Sequence, residues 1–120
     1  MILYLDTSSL VKIYVEEAGS DLVWGWVDEA EAIATSCVAY PEAMSALARR
    51  RANGDLDARS FQAVQETFES DWPSFVQLPV RERRAGALAV KHLLRGFDAV
   101  HLAAAFDLRD ALGDGALVFS

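Results

Sequence analysis

The sequence has a single cysteine, Cys37, in 120 residues, so an intrachain disulfide and a thiolate metal cage are both excluded. That usage suits a reducing compartment, and the protein is expected in the cytoplasm. Cys37 itself reads as a small buried apolar residue. Prolines number three and glycines seven, too few for a long flexible linker or a low-complexity segment. No apolar run approaches the ~20 residues that a membrane-spanning helix needs, so no membrane partner is expected. The opening Met1-Ile2-Leu3-Tyr4-Leu5 meets Asp6 too soon, and without a basic leader, to resemble a signal peptide. Positive charge is also scarce: 11 Lys and Arg stand against 18 Asp and Glu, a net charge of −7. This argues against a basic nucleic-acid coat protein. It leaves a nuclease open, because a metal-binding carboxylate cluster adds negative charge and the bound cations reverse its local sign.

What is present is core material. Hydrophobic residues make up 52% of the chain, among them three Trp, three Tyr and six Phe, enough for one compact domain over residues 1–120. Residues 2–5 read as a buried strand that ends in a helix-capping cluster, Asp6-Thr7-Ser8-Ser9. Leu10, Ile13 and Tyr14 follow at helical spacing, and residues 16–20 break that helix. Leu22, Val23, Trp26 and Val27 share one face of a second helix, with Trp24 on the other. A strand is expected over 32–36 and a helix over 38–51, with Pro41 in its first turn and Asn53-Gly54 ending it. Phe61, Val64, Phe68 and Trp72 form the stripe of another helix, which Pro73 stops. A third strand is expected over 75–80, helices over 81–94 and 98–112 with Gly96 between them, and a last strand over 116–119. Strands alternating with helices predict an α/β domain: a parallel sheet with helices on both faces.

That topology brings three acids together. Asp6 lies at the end of the first strand. Glu42 lies one turn into the helix after the second. Asp98 opens the helix that leads into the last strand. All three fall at the carboxyl edge of the sheet, where ligands of open α/β sheets bind. Three carboxylates at close quarters are tolerable if some are protonated, if basic side chains intervene, or if a cation binds. With oxygen ligands only, the cation would be a hard one, Mg²⁺ or Mn²⁺. Such an ion lowers the pKa of water, orients a phosphodiester and stabilises charge on a leaving oxygen. Each acid also has a plain structural reading. Asp6 and Asp98 precede apolar helical stripes, as N-caps do, and a first-turn Glu42 is favoured by the helix dipole. Thr7 and Ser8 either support the carboxylates or cap the first helix. His101, one turn after Asp98 on the same face, is either a substrate contact or a surface residue.

Three segments carry a resemblance. Asp6-Thr7-Ser8-Ser9-Leu10-Val11-Lys12 after an apolar strand resembles the opening of VapC-like PIN domains. Tyr40-Pro41-Glu42-Ala43-Met44-Ser45-Ala46-Leu47 resembles their second motif. Leu94-Arg95-Gly96-Phe97-Asp98-Ala99-Val100-His101-Leu102-Ala103-Ala104-Ala105 resembles their third and is the most specific. The resemblance spans essentially the whole chain. It implies a three-layer α/β/α PIN-like domain around a short, mostly parallel central sheet. It implies an endoribonuclease using Mg²⁺ or Mn²⁺, with Asp6, Glu42 and Asp98 as the metal-binding acids and a hydroxyl at Ser8 in support. It further implies a structured RNA substrate such as tRNA or ribosomal RNA loops, a VapB-like antitoxin and a homodimer. One departure concerns a fourth acid that the family commonly carries after the last strand. The sequence ends at Ser120 before such a residue, and Asp114 is expected ahead of that strand, at the opposite edge. The domain is therefore expected to lack the family's C-terminal end.

RNA binding would require positive charge near the acids. Arg95 is nearest to Asp98 in sequence and is the preferred phosphate contact, with Lys12 on the first helix. Arg49, Arg50 and Arg51 end the Glu42 helix, and Arg81, Arg83, Arg84 and Lys91 decorate the helix before Asp98; solvated helix faces account for most of these equally well. Trp24, with Tyr14 nearby, suggests an apolar patch able to receive an antitoxin helix, or else an ordinary packed position. The alternative function is a catalytically impaired PIN-like module that binds an antitoxin or itself. A haloacid-dehalogenase-like phosphatase would want a second Asp two residues after Asp6, where Ser8 stands.

Overall fold

The computed structural model describes residues 1–113 and 117–120; Asp114 and the expected start of the last strand at Ala116 lie outside the described residues. The apolar segments form strands β1 (Ile2–Tyr4), β2 (Ala32–Ser36), β3 (Val76–Leu78) and β4 (Leu117–Phe119), between helices α1 (Thr7–Tyr14), α2 (Ser20–Glu29), α3 (Ala39–Ala52), α4 (Ala58–Asp71), α5 (Glu82–His92) and α6 (Gly96–Leu112). The strands pair in parallel in the order β3-β2-β1-β4. The register sets Tyr4 opposite Ala34 on one side and Phe119 on the other. Strand β3 is shorter than its apolar run. A single 3-10 turn at Trp72–Ser74 precedes it, and Pro79 directly after it has no N–H with which to extend the ladder.

Side chains alternate across the sheet with the two-residue period of extended backbone. Leu3 and Leu5 enter the main core with Leu10, Val11, Leu47 and Phe68, beneath α1 to α4. Tyr4 points the other way, into a second core with Ala34, Ala104 and Ala105 of α6. Helix α5 packs on α6 through Ala85, Ala99 and Ala103, whose small side chains let the two helices approach closely. The result is a three-layer α/β/α domain. Among the described residues, no helix is long and apolar enough to cross a membrane.

Two expectations about individual residues are corrected. Cys37 is exposed, because the turn after β2 stands at the sheet edge outside both cores. Its backbone N–H donates to the Leu78 carbonyl at 2.9 Å and so continues the β2–β3 pairing. Tyr14 does not share a surface patch with Trp24. Its ring meets Phe68 edge-on at 5.2 Å and its hydroxyl donates to Asp71 at 2.8 Å, whereas Trp24 is exposed on α2.

Candidate active site

The carboxyl edge of the sheet opens into a cleft of about 1420 Å³, walled by the starts of α1, α3 and α6 and by one face of α5. Asp6, Glu42 and Asp98 all line it. Asp6 leaves β1 in extended backbone and caps α1: its Oδ1 accepts from the Ser9 backbone N–H at 3.0 Å and from the Ser8 hydroxyl at 2.9 Å. Its own backbone N–H donates to the Ser120 carbonyl at 2.7 Å, which ties the edge of the cleft to the residue after β4. Glu42 stands in the first turn of α3, and its Oε1 accepts from the Thr7 hydroxyl at 2.6 Å and lies 3.1 Å from His101 Nε2. Asp98 stands in the first turn of α6 and forms no side-chain cap; its Oδ2 lies 3.4 Å from Arg95 Nε, and its side chain is 54% exposed.

Each acid is thus engaged through one oxygen. Oδ2 of Asp6, Oε2 of Glu42 and Oδ1 of Asp98 accept no hydrogen bond from the described residues. Among the described residues, no three His, Cys, Asp or Glu side chains are grouped so that they could hold a metal ion as they stand. The acids share a cleft, and each is steadied by its own neighbours. As a donor set, carboxylate oxygens with adjacent hydroxyls fit a hard divalent cation and suit a soft one poorly.

The sequence-expected supporting and binding residues divide sharply. Thr7 and Ser8 both donate to the acids, Thr7 to Glu42 and Ser8 to Asp6. Arg95 lines the cleft with its side chain 94% exposed and is available to an anion. Lys12 is corrected as a substrate contact. Its Nζ pairs with Glu17 Oε1 at 3.1 Å, and Glu17 also pairs with Arg50, so one carboxylate occupies two of the nearby cations. Arg81 and Arg84 are likewise engaged, both with Asp107 across the α5–α6 hairpin. Arg49 lines the cleft and donates to Ser45 at 2.6 Å.

His101 is corrected more substantially. It is neither on the surface nor free for substrate, being only 3% exposed with both ring nitrogens turned to protein groups. Nδ1 lies 2.8 Å from the Tyr4 hydroxyl, and Nε2 lies 3.0 Å from Thr7 Oγ1 and 3.1 Å from Glu42 Oε1. Tyr4 was invisible as a site residue, since within an apolar strand it reads as core. The available signal was its hydroxyl, which needs a partner once buried. Burial, and then the negative charge of Asp6, push the Tyr4 hydroxyl far above its ordinary range, so it remains protonated. Phe97, 58% exposed in the cleft wall between Arg95 and Asp98, is a second site residue that sequence pattern does not distinguish from core.

Comparison with known proteins agrees with this architecture. A family model described as PIN domain matches residues 3–112. Two curated Mycobacterium tuberculosis proteins, Ribonuclease VapC45 from strain CDC 1551 / Oshkosh and Ribonuclease VapC49 from strain ATCC 25618 / H37Rv, are each 39% identical over 120 residues, covering 98% of this chain and 81% of their own. Among solved structures, M. tuberculosis VapC20, a Sarcin-Ricin loop cleaving toxin, superposes with a TM-score of 0.66 at 19% identity, covering 88% of this chain and 82% of its own. A toxin-antitoxin complex from Klebsiella pneumoniae gives 0.65 at 19% identity, covering 97% and 95%. FitAcB from Neisseria gonorrhoeae gives 0.66 at 22% identity, covering 90% and 82%. At these identities the structural likeness is one of fold.

Proposed function

The chain belongs to the PIN-domain family and is a relative of the VapC ribonucleases, and from that premise we propose that it is an endoribonuclease toxin of a VapBC-type pair, hydrolysing RNA phosphodiester bonds with Mg²⁺ or Mn²⁺. The observation that carries the reading is the cleft itself. Three carboxylates from distant parts of the sequence line it, each with one oxygen unengaged among the described residues. Structural ion pairing would use those oxygens on protein cations; here Lys12 and Arg50 are taken by Glu17 instead.

Asp6, Glu42 and Asp98 would hold the cation, which when bound supplies Lewis acidity toward the phosphate and toward water. The chain's own residues do the rest. Thr7 and Ser8 hold Glu42 and Asp6 in fixed orientation through the oxygen that faces away from the reaction. Arg95, exposed beside Asp98, pairs with a phosphate of the RNA strand. Hydrolysis breaks one P–O bond, the phosphorus gains a hydroxyl oxygen from water, and the departing oxygen takes up a proton. A carboxylate in the cleft is placed to accept the proton that water loses.

The fold shared with the K. pneumoniae toxin-antitoxin complex favours a VapB-like antitoxin as protein partner, and we propose a homodimer besides. Loop regions of tRNA or ribosomal RNA are the substrate class we favour, and the cytoplasm is where they would be met. We read residues 1–120 as one PIN-like domain.

The test is incubation of the purified chain with total cellular RNA, with Mn²⁺ or Mg²⁺ and then with a chelator. Discrete fragments that vanish with the chelator and in Asp98→Asn are expected. Cleavage indifferent to both, or no cleavage alongside a stable antitoxin complex, would replace the nuclease by an interaction module.

A further inference from the structure

Beneath the cleft floor, Glu42 and Thr7 are joined by two buried groups that the cation-binding reading does not use, Tyr4 and His101. The contacts run from the Tyr4 hydroxyl to His101 Nδ1 at 2.8 Å, and from His101 Nε2 to Glu42 Oε1 at 3.1 Å and Thr7 Oγ1 at 3.0 Å. Tyr4 is fully buried and His101 nearly so. From this geometry we infer that Tyr4 locks His101 in its Nε2–H tautomer, and that His101 so locked is a positioning residue that fixes Glu42 and couples it to the helix bearing Asp98.

Proton accounting decides the tautomer. The Thr7 hydroxyl donates its only proton to Glu42 Oε1 at 2.6 Å, so toward His101 it offers lone pairs. Glu42 Oε1 likewise offers lone pairs. Nε2 therefore faces two acceptors and must carry the hydrogen. In a neutral ring the other nitrogen is then bare, and Tyr4 O–H donates to it. The opposite tautomer would set the Nε2 lone pair against two acceptors and would leave the buried Tyr4 O–H without an acceptor.

The consequence is mechanical. Two donors converge on Oε1 of Glu42, one from α1 and one from α6, which leaves Oε2 as the oxygen presented to the cleft. His101 lies one turn beyond Asp98 on α6, so a single imidazole links the α6 acid, the α3 acid and strand β1. A ring free to flip or change tautomer would let Glu42 rotate and would unlink the two helices.

The inference rests on the nuclease reading for its role and is testable apart from it. Imidazole ¹⁵N spectra of labelled protein in mildly alkaline buffer report the tautomer directly, with His92→Gln assigning the signals. A pyrrole-type Nε2 and a pyridine-type Nδ1 are expected for His101 in wild type, and a tautomer mixture in Tyr4→Phe. Mn²⁺ affinity by calorimetry is expected to fall about 10–100-fold in His101→Asn, whose amide stands at the Nδ1 position and cannot reach Glu42. His101→Gln, whose amide nitrogen reaches the Nε2 position, is expected to recover most of it. In cleavage assays the loss should appear in kcat with the KM for RNA little changed. A pyrrole-type Nδ1, equal effects of Asn and Gln at 101, or wild-type Mn²⁺ affinity in His101→Asn would each overturn the inference. If His101→Asn does not fold, Tyr4→Phe keeps the ring, and an unmixed tautomer with unchanged Mn²⁺ affinity there would do the same. Failure of the wild type to cut RNA would remove the nuclease reading alone, since spectra and calorimetry need no cleavage.

Discussion

Asp6 carries two duties through two oxygens. Its Oδ1 caps α1, and its Oδ2 accepts no hydrogen bond from the described residues. Substitutions can separate them. Asparagine keeps an acceptor for the Ser9 N–H and is itself a good N-cap, whereas alanine removes both duties. Asp6→Asn is therefore expected to melt within a degree or two of wild type while losing RNA cleavage. Asp6→Ala is expected to lose cleavage and also about 1 kcal/mol of stability. Thermal melts beside a cleavage assay check this, and normal cleavage by purified Asp6→Asn would remove Asp6 from the chemistry. The contrast also marks what was legible at this scale. The three acids could be read from the sequence because topology alone brings helix starts to one edge of a parallel sheet. The Tyr4–His101 contact could not, because it joins residues 97 apart and lies inside the protein, where a histidine and a tyrosine read separately as surface and core. Cys37 misled for a related reason: its chemistry suggested burial, and its position in a tight turn decided otherwise.

Among the elements, the strands and helices followed from apolar runs and periodicity, with their ends set by local chemistry that pattern alone does not resolve. Pro79 cuts β3 short, and α6 begins at Gly96, ahead of Asp98, with Arg95 in extended backbone as its N-cap and no side-chain cap hydrogen bond. The junction between α5 and α6 holds the only non-glycine residue with positive φ among those described, Leu93 at φ 54°. It is the C-cap of α5, and its backbone N–H bonds the Ala89 carbonyl. A leucine in the left-handed region costs about 1 kcal/mol relative to glycine, and this side chain, 91% exposed, recovers almost nothing by burial. Leu93→Gly is thus expected to stabilise the protein by about 0.5–1 kcal/mol, after allowing for the greater freedom of glycine in the unfolded chain. A higher urea midpoint with an unchanged slope would show it. A fall in stability would mean that the exposed side chain has a partner in solution.

At the scale of the whole molecule, the governing quantity is negative charge: a net −7, with three acids drawn to one cleft by folding. In the unfolded chain these acids are dispersed along the sequence, so a divalent cation that uses all three binds the native state preferentially and stabilises it by mass action. At a hundredfold excess over its dissociation constant the gain is about 2.7 kcal/mol, a rise of several degrees in Tm. Without the cation the sign reverses, because the acids then only repel one another. The Arg95–Asp98 pair does little to offset this, being exposed on both sides and of the kind that contributes about 0–1 kcal/mol. Asp98→Asn should accordingly melt at or slightly above wild type in a chelator, and below wild type in saturating Mn²⁺. Potassium chloride at the same ionic strength should not reproduce the crossing, since screening weakens repulsion in both proteins without selecting one. Parallel thermal melts of the two proteins in chelator, Mn²⁺ and matched salt provide the measurement. If Mn²⁺ raised both melting temperatures by the same amount, Asp98 would not be among the groups that hold the ion, and the cleft would have to act on RNA by other means.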